Sequence, residues 1–183
     1  SASDAATIAA LADGFATGQR RLVGLYSGGT FCAETMAIAA PVLGDMNSNE
    51  GTNTGEHLIL DLGDDVYTRG RPHPMIDFRI RTERIRAVAQ DEETAVILLD
   101  VVLGCGVHPD PASVLVPAIE EASAIANSNG RRLVFVGFVC GTDADPQRLS
   151  TQEDALARAG MILEPSNAAS VLTAINLLEE IRT

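Results

Sequence analysis

The fold class is decided by the nine-residue stretch Ala95–Leu103, AVILLDVVL, near the middle of the chain. It is nearly continuous in Val, Ile and Leu, and a second run of this kind, LVFVGFV, follows at Leu133–Val139. Central strands of a parallel sheet are buried on both faces, so their apolar residues are continuous rather than alternating. The two runs therefore predict the centre of a parallel β-sheet.

Shorter apolar runs lie on both sides of this centre, and helix-length stretches separate them. The predicted strands are Arg21–Tyr26, His57–Leu62, Ala95–Leu103, Leu133–Val139 and Met161–Leu163. Apolar residues recur at helical spacing between them, as at Leu115, Ile119 and Ala122. The predicted helices are Asp4–Ala16, Phe31–Ala40, Asp77–Gln90, Ala112–Asn127, Thr151–Ala159 and Ala168–Arg182. This alternation predicts the α/β class, as a flavodoxin-like doubly wound parallel five-stranded sheet with helices on both faces.

Composition limits the class of function. The 183 residues are 46% hydrophobic, which suffices for one well-covered core and predicts a single domain over residues 1–183. The formal charge of −12 disfavours a nucleic-acid partner, because phosphate backbones are bound by surplus Lys and Arg. No apolar run approaches the roughly 20 residues that cross a bilayer, so no membrane association is expected. Three cysteines without CxxC spacing argue against disulfides or zinc and predict a cytoplasmic protein.

The chain contains thirteen arginines and no lysine. Chemistry that depends on a lysine ammonium, such as the P-loop contact to β and γ phosphates or a Schiff base, is thereby excluded from this chain. Arginine must supply the positive charge. A lysine-bearing nucleotide site, if nucleotide is hydrolysed, must lie on another domain or chain.

Polar clusters follow the predicted strands, and ligands of doubly wound sheets bind at this edge. The first cluster is Ser27-Gly28-Gly29-Thr30, where a strand turns into a helix. The first amides of a helix lack intrahelical partners, and glycine lets an anion approach closely. We therefore interpret Ser27, Gly28, Gly29 and Thr30 as candidate phosphate-binding residues. The alternative is a tight connection with a purely structural role.

The densest cluster is the loop Asp61–Asp77, DLGDDVYTRGRPHPMID. His73 lies between two prolines, which restrict the backbone on both sides and hold the imidazole in a set direction. Histidine acts as acid or base near neutral pH, so His73 is the candidate catalytic residue, with Asp65 or Asp77 as its carboxylate partner.

The same loop begins a cluster of arginines, since six of the thirteen lie between Arg69 and Arg86. Arg69 and Arg71 are the candidate ligands of an anionic substrate, because guanidinium groups form bidentate contacts with anions. The arginines from Arg79 to Arg86 fall on one predicted helix, where charges usually mark the solvated face. The alternative for the loop is a solvated connection with surface ion pairs, each worth about 0 to 1 kcal/mol.

The remaining candidates are more isolated. The loop GCGVHPDP supplies His108 and Asp110 as further candidate substrate-binding residues. His57 begins a strand and is interpreted as structural. Cys32 is the cysteine best placed for a nucleophilic role, in the first turn of a helix, although a buried structural cysteine is the preferred interpretation. The Asn- and Gly-rich segment Gly44–Gly55 is predicted to be a mobile surface loop. No metal ligands are predicted.

Three motifs, LYSGGTFCAE, LDLGDDVYTRGRPHPMID and LLDVVLGCGVHPDPA, together resemble the carboxy-terminal part of FdrA-type acyl-CoA-synthetase-like proteins. The likeness continues through VGFVCGT and the last helices. It covers nearly the whole of this chain but only part of a full-length family member. The resemblance therefore implies a domain of a longer protein or complex.

The order of motifs is also similar to the CoA-ligase domain of the succinyl-CoA synthetase β subunit, where SGGT, LDLGDD, VVLGCG and VCGT have counterparts. In that family a helix amino terminus of this domain helps to hold a phosphohistidine, so the resemblance implies phosphate handling at Gly28 to Thr30. That histidine belongs to another subunit, and neither His73 nor His108 is equated with it. The RGRPHPMID segment has no counterpart in the synthetase, and Gly63-Asp64-Asp65 replaces a glycine pair.

Two functions from different classes follow. In the first, a CoA-ligase-like domain of an FdrA-type protein contributes a phosphate or acyl-phosphate site to acyl-CoA or carbamoyl transfer, within a ligase or transferase. CoA or phosphate would be bound largely through another domain, and an upstream CoA-binding domain or partner subunit, an oligomer and a small anionic substrate are expected. In the second, the domain is a non-catalytic assembly or coenzyme-binding module of a multi-subunit enzyme. A flavin-binding role is disfavoured by the content of two Tyr and no Trp.

Overall fold

The computed structural model describes residues 4–49 and 55–182. Its strands are β1 (Arg21–Tyr26), β2 (Met46–Asn47), β3 (His57–Asp61), β4 (Thr94–Val102), β5 (Val134–Cys140) and β6 (Ile162–Leu163). Its helices are α1 (Ala5–Ala12), α2 (Gly29–Leu43), α3 (Asp65–Thr68), α4 (Arg79–Ala89), α5 (Pro111–Ser128), α6 (Leu149–Arg158) and α7 (Asn167–Arg182). The strands form one sheet in the order β2-β3-β1-β4-β5-β6, and every neighbouring pair is parallel. The predicted α/β class and doubly wound order are confirmed.

The two faces of the sheet are covered by different helices. Helices α4, α5 and α6 pack on one face, which includes Leu25 and Ile97. Helices α1, α2 and α7 cover the other face, which includes Leu22 and Leu98. Because neighbouring residues of a strand point to opposite faces, burial of both faces requires apolar residues at nearly every position. This is why β4 and β5 have continuous rather than alternating apolar sequences.

The sheet has six strands rather than the predicted five. The additional strand, β2, lies in the segment Gly44–Gly55 that was predicted to be a surface loop, and Met46 pairs with His57 at the edge of the sheet. The Asn47 side chain holds the returning chain through hydrogen bonds to both the N–H and the carbonyl of Gly55, at 2.7 and 2.6 Å. Two residues are too few to produce a periodic pattern, so no local signal marks this strand. Positions 50–54 of the segment lie outside the described residues.

The loop after β3 also contains more structure than predicted. The single turn α3 begins after Asp64, whose carboxylate accepts the Val66 N–H at 2.9 Å. Helix α4 begins at Arg79 rather than at the predicted Asp77, because the Asp77 carboxylate accepts the Arg79 N–H at 3.0 Å in a turn before the helix. Among the described helices, none combines the length and the apolar character needed to span a bilayer.

His57 has the structural position predicted for it. It is fully buried at the start of β3, and its Nδ1 accepts the Leu22 N–H at 3.1 Å. The register of β1 against β4 shifts between Arg21 and Leu22, so the imidazole supplies an acceptor for a backbone amide beside this irregularity. No described residue is a partner for Nε2. Burial lowers the pKa of His57 below its usual value, and Arg182 and Arg21 lower it further while Glu56 opposes them.

We predict that His57 makes the fold sensitive to mild acid. The unfolded chain binds a proton at this position near pH 6.5, whereas the folded chain binds it only at lower pH. The free energy of unfolding is therefore not reduced by His57 above about pH 6.5. It falls as the pH is lowered through that value, because the unfolded chain then binds a proton that the folded chain does not. Urea unfolding at about pH 7.5 and about pH 5.5 measures the loss of free energy of unfolding on acidification. This loss should be smaller in His57→Asn, which keeps an acceptor for the Leu22 N–H, than in the parent. An equal loss in both proteins would contradict this assignment.

Candidate functional site

The strand order brings four of the polar loops to one edge of the sheet. The chain leaves β1, β3, β4 and β5 at their carboxyl ends, and β1 lies between β3 and β4. The connection after β1 leads to α2 on one face, whereas those after β3 and β4 lead to α4 and α5 on the other face, which creates at β1 the crevice in which doubly wound proteins bind ligands. The turn into α2 and the loop from Asp61 to Phe78 meet at this crevice. Three groups from these segments define the candidate site: the α2 turn, Asp61 and His73.

The α2 turn consists of Gly28, Gly29 and Thr30. Gly28 is the residue before the helix, has extended backbone and provides no side-chain cap. No described residue accepts a hydrogen bond from the first amides of this 15-residue helix, and Gly29 and Thr30 are exposed. Unpaired amides at the positive end of a helix dipole attract anions. The turn can therefore bind a phosphate or carboxylate group through its backbone.

Ser27, the fourth candidate phosphate ligand, has a different environment. It is 1% exposed, and its N–H donates to Asp100 Oδ1 at 2.8 Å. Its hydroxyl donates to Asp100 Oδ2. Both donors are therefore engaged by a buried carboxylate. A direct contact between Ser27 and phosphate stays a prediction, and the geometry instead gives Ser27 the role of fixing the turn.

Asp61 ends β3 and lies beside the α2 turn. Its Oδ1 accepts the Gly63 N–H at 2.8 Å. A Cβ atom built on Gly29 would lie 3.0 Å from Asp61 Oδ2, so the carboxylate is close to the first residue of α2. Burial raises the pKa of Asp61 above its usual value, and the Gly63 N–H partly opposes this effect. Sequence reasoning did not select Asp61, although it is the first aspartate of the LDLGDD motif.

His73 faces the same space from the loop. Its Nδ1 accepts the Met75 N–H at 3.3 Å, which leaves the proton of the neutral ring on Nε2. A Cβ atom built on Gly63 would lie 2.8 Å from His73 Nε2 and 3.1 Å from Asp61 Oδ1. The imidazole and the Asp61 carboxylate therefore border one small space, which exists because residue 63 has no side chain. Asp61 is the carboxylate that the structure brings to His73.

The two carboxylates predicted to assist His73 have other environments. Asp65 is exposed in the first turn of α3. Asp77 pairs with Arg79, whose hydrogen bonds hold the pKa of Asp77 below its usual value, and the nearby His108 adds a smaller effect in the same direction. The contact between Asp77 and His73 is through the backbone, where the Asp77 N–H donates to the His73 carbonyl at 3.0 Å. Their proposed catalytic roles stay predictions without direct geometric support.

Arg69 and Arg71 border a separate surface cleft. One hollow of about 340 Å³ is lined by residues that include Leu62, Tyr67, Arg71, Pro72, Pro74 and Ile80. An adjoining hollow adds Arg69 and Arg84, and the Arg84 guanidinium lies 5.4 Å from the centre of the Tyr67 ring. Neither arginine of the predicted pair forms an ion pair with a described residue. The cleft can therefore bind an anion, but it is not lined by His73, Asp61 or the α2 turn.

His108 and Asp110 stabilise the loop after β4. The His108 N–H donates to the Met75 carbonyl at 2.8 Å, and its ring packs edge-on against Phe78. Asp110 is the cap of α5 and accepts hydrogen bonds from the Ser113 N–H and the Gln152 side chain, at 3.2 and 3.1 Å. These contacts give both residues a structural role, and substrate binding by them stays a prediction.

The cysteines do not form a group of nucleophiles. Burial raises the pKa of Cys32 to about 11, so this thiol is protonated at neutral pH and is a poor nucleophile. Cys105 and Cys140 are exposed and free. In the part of the chain that the structure describes, no three His, Cys, Asp or Glu side chains are grouped so as to hold a metal ion.

Two comparisons with known proteins bear on the family of this chain. The family model described as CoA-ligase matches residues 25–177, which include the α2 turn, Asp61 and His73. The chain is also 41% identical over 166 residues to the uncharacterised protein YahF of Escherichia coli (strain K12), in a match that covers 85% of this chain and 32% of YahF. The chain thus spans about a third of the length of this relative. From the extent of the family match, the chain belongs to the CoA-ligase family.

Proposed function

We propose that this domain supplies a phosphate or acyl-phosphate site to a larger acyl-CoA or carbamoyl transfer enzyme of the FdrA type. The observation that carries the proposal is the uncapped, glycine-lined amino terminus of α2, which lies beside Asp61, while His73 borders the same carboxylate at Gly63. Membership of the CoA-ligase family supports the general class of chemistry. The phosphate role and the FdrA-type specificity are parts of the proposal.

The backbone amides of the α2 turn bind the anion. Glycine at Gly28 and Gly29 leaves the amides accessible, because no side chain covers them. The chain has no lysine, and its net charge is −12, so preorganised backbone dipoles are the means by which it attracts an anion at this position. Such dipoles cost no reorganisation when negative charge develops on the transferred group.

Asp61 and His73 handle protons beside this anion. The His73 Nε2–H is a hydrogen-bond donor for a phosphoryl or acyl oxygen, and its ring is held by the Met75 N–H. Asp61, with a pKa raised by burial, is suited to accept a proton or to orient the imidazole. Arg69 and Arg71 bind a more distant anionic part of the substrate in the adjoining cleft. The remaining catalytic groups, including the principal CoA-binding residues and any nucleotide site, belong to an upstream domain or partner subunit in an oligomer.

A second candidate is the non-catalytic assembly module. It is favoured by Val66 and Ile76, which are 66% and 52% exposed in the segment between β3 and α4. Large apolar side chains at such exposure suit contact with a partner chain. Replacing both by serine should weaken assembly with a partner subunit and leave phosphate binding unchanged, whichever function is correct. Replacing His73 distinguishes the two functions, because turnover should stop only if the domain is catalytic.

We predict that inorganic phosphate stabilises the fold. At ten times its Kd, phosphate should add about 1.4 kcal/mol to the free energy of unfolding, which corresponds to roughly 3–5 °C in Tm. Arg71→Ala should weaken this shift only in part, because Arg71 lines the separate cleft and attracts the phosphate over a distance. Arg158→Ala, at the far end of α6, makes the same change in net charge and should keep the shift. A Tm that is independent of phosphate and sulfate in the parent would contradict the proposal.

We predict that Asp61→Asn keeps or raises the thermal stability of the fold and slows the transfer reaction. A raised pKa means that ionised Asp61 destabilises the folded state above the unfolded pKa near 3.9, and that the destabilisation is relieved as the pH falls. At neutral pH the variant should therefore have an equal or higher Tm and bind phosphate at least as tightly. In the complete enzyme its transfer rate should fall about 10²–10⁴-fold. A lower Tm with normal turnover would show that Asp61 is structural instead.

A further inference from the structure

A buried ion pair is joined to the α2 turn through Ser27. Arg81 Nη2 and Asp100 Oδ1 are 3.0 Å apart, and their side chains are 1% and 0% exposed. The same Nη2 donates to the carbonyl oxygens of Leu25 and Asp100, at 3.1 and 2.7 Å. The solvated face considered for the arginines of this helix does not apply to Arg81, which lies in the core against the Phe78 ring.

The Asp100 carboxylate connects β4 to the chain just after β1. The backbone pairing of these strands ends at Leu25 and Leu99. One step beyond it, the two carboxylate oxygens accept the N–H and the hydroxyl of Ser27. Asp100 therefore continues the connection between the strands to the residue immediately before the α2 turn. Among the described residues, no other hydrogen bond joins Ser27 to β4.

Stability by itself does not explain this pair. Buried ion pairs lose so much hydration that apolar replacements of similar volume are often as stable or more stable. Arg81 carries an additional cost, because its buried Nε has no partner among the described residues. Apolar side chains, however, cannot hold the two donors of Ser27. The structural consequence specific to Asp100 is the fixed position of Ser27.

We infer that Arg81 and Asp100 are positioning residues for the anion site, and that they set the direction of the Gly28–Thr30 amides through the two hydrogen bonds to Ser27. Neither residue touches the ligand. Arg81 neutralises the carboxylate, and the carboxylate holds Ser27. This inference rests on the proposed function, because the amides matter only if an anion binds there.

Two double variants separate positioning from burial of charge. R81M/D100N removes both charges and keeps a side-chain oxygen that can accept the Ser27 N–H. R81M/D100L also removes both charges but cannot accept it. Both are measured in the whole chain, with circular dichroism to verify the fold and a titration with inorganic phosphate to give Kd.

The expected result is a Kd within about threefold of the parent for R81M/D100N and at least about tenfold weaker for R81M/D100L, since about 1.4 kcal/mol of lost positioning is a factor of ten. Equal phosphate affinity in the two folded variants would overturn the inference. Should R81M/D100L lose the parent's circular dichroism, Ser27→Ala replaces it, because it deletes only the hydroxyl bond. A Kd equal to the parent's in Ser27→Ala would then overturn the inference.

Hydrogen exchange distinguishes this inference from the proposed function. If the parent does not bind phosphate, the proposed function fails on that result alone. The Ser27 amide should still exchange at least about tenfold faster in R81M/D100L than in R81M/D100N, because exchange requires the hydrogen bond to open. Equal exchange rates would show that Asp100 does not hold the turn.

Discussion

Asp100→Ala is expected to lower the free energy of unfolding by about 3–5 kcal/mol, the largest loss of stability predicted for a single substitution in this chain. The substitution leaves the Arg81 guanidinium buried without its counter-charge, and it also leaves the Ser27 N–H and hydroxyl without their acceptor. Domains of this kind are stable by only about 5–15 kcal/mol, so the loss is a large share of the total. Urea unfolding of the parent and the variant at neutral pH measures it.

The matched control is R81M/D100N, which removes both charges together and keeps an acceptor for the Ser27 N–H. Its stability should be within about 1 kcal/mol of the parent or higher, because no uncompensated charge remains in the core. The single and double variants are therefore expected to be strongly non-additive. A loss below about 1 kcal/mol for Asp100→Ala would mean that Arg81 reaches solvent when its partner is removed, contrary to the buried geometry.

Gly63→Ala is expected to weaken phosphate binding by at least about tenfold while the chain stays folded. The added Cβ would lie 2.6 Å from the Ser27 carbonyl oxygen, 2.8 Å from His73 Nε2 and 3.1 Å from Asp61 Oδ1. The Ser27 backbone cannot move easily, because Asp100 holds it, so the loop and the imidazole must be displaced. Overpacking of this kind costs about 1–3 kcal/mol in stability. Thermal unfolding with and without phosphate gives both quantities.

Gly130→Ala provides the control for Gly63→Ala. Gly130 has a φ of +67° and no neighbouring atom within 4 Å of an added Cβ, and it lies between α5 and β5, away from the site. Alanine there should cost roughly 1–2 kcal/mol through backbone strain and leave phosphate binding unchanged. Comparison of the two variants separates loss of the site from general destabilisation. Parent-like phosphate affinity in Gly63→Ala would contradict the arrangement of Asp61 and His73 around this glycine.

Most of the fold was predictable from the chain, because it depends on long apolar runs. Strands β1, β3, β4, β5 and β6 agree with their predictions to within a few residues. Strand β2 was not predictable, since its two residues are held by the side chain of Asn47 and by pairing to β3 rather than by any local preference. The start of α4 was misplaced because Asp77, a good turn residue, accepts the Arg79 N–H before the helix begins.

The site was predictable only in part. The α2 turn was recognised because glycines between a strand and a helix have a local geometric meaning. Asp61 was missed because its nearness to His73 depends on how the loop folds back, and a spacing of twelve positions along the chain does not encode that nearness. The sequence also could not predict that the cleft of Arg69 and Arg71 is separate from His73, since sequence neighbours in an irregular loop face different directions.

The sequence by itself determined the α/β class, the alternation of strands and helices, the glycine turn at the start of α2 and the reliance on arginine for positive charge. These properties follow from composition and from short-range periodicity, which the chain carries locally. Only the tertiary structure decided that Asp61 and His73 lie near one another around Gly63 and that Asp100 joins Arg81 to Ser27. The reason is physical: strand order and side-chain direction set which distant polar groups share a buried space, and burial then determines their charge and their partners.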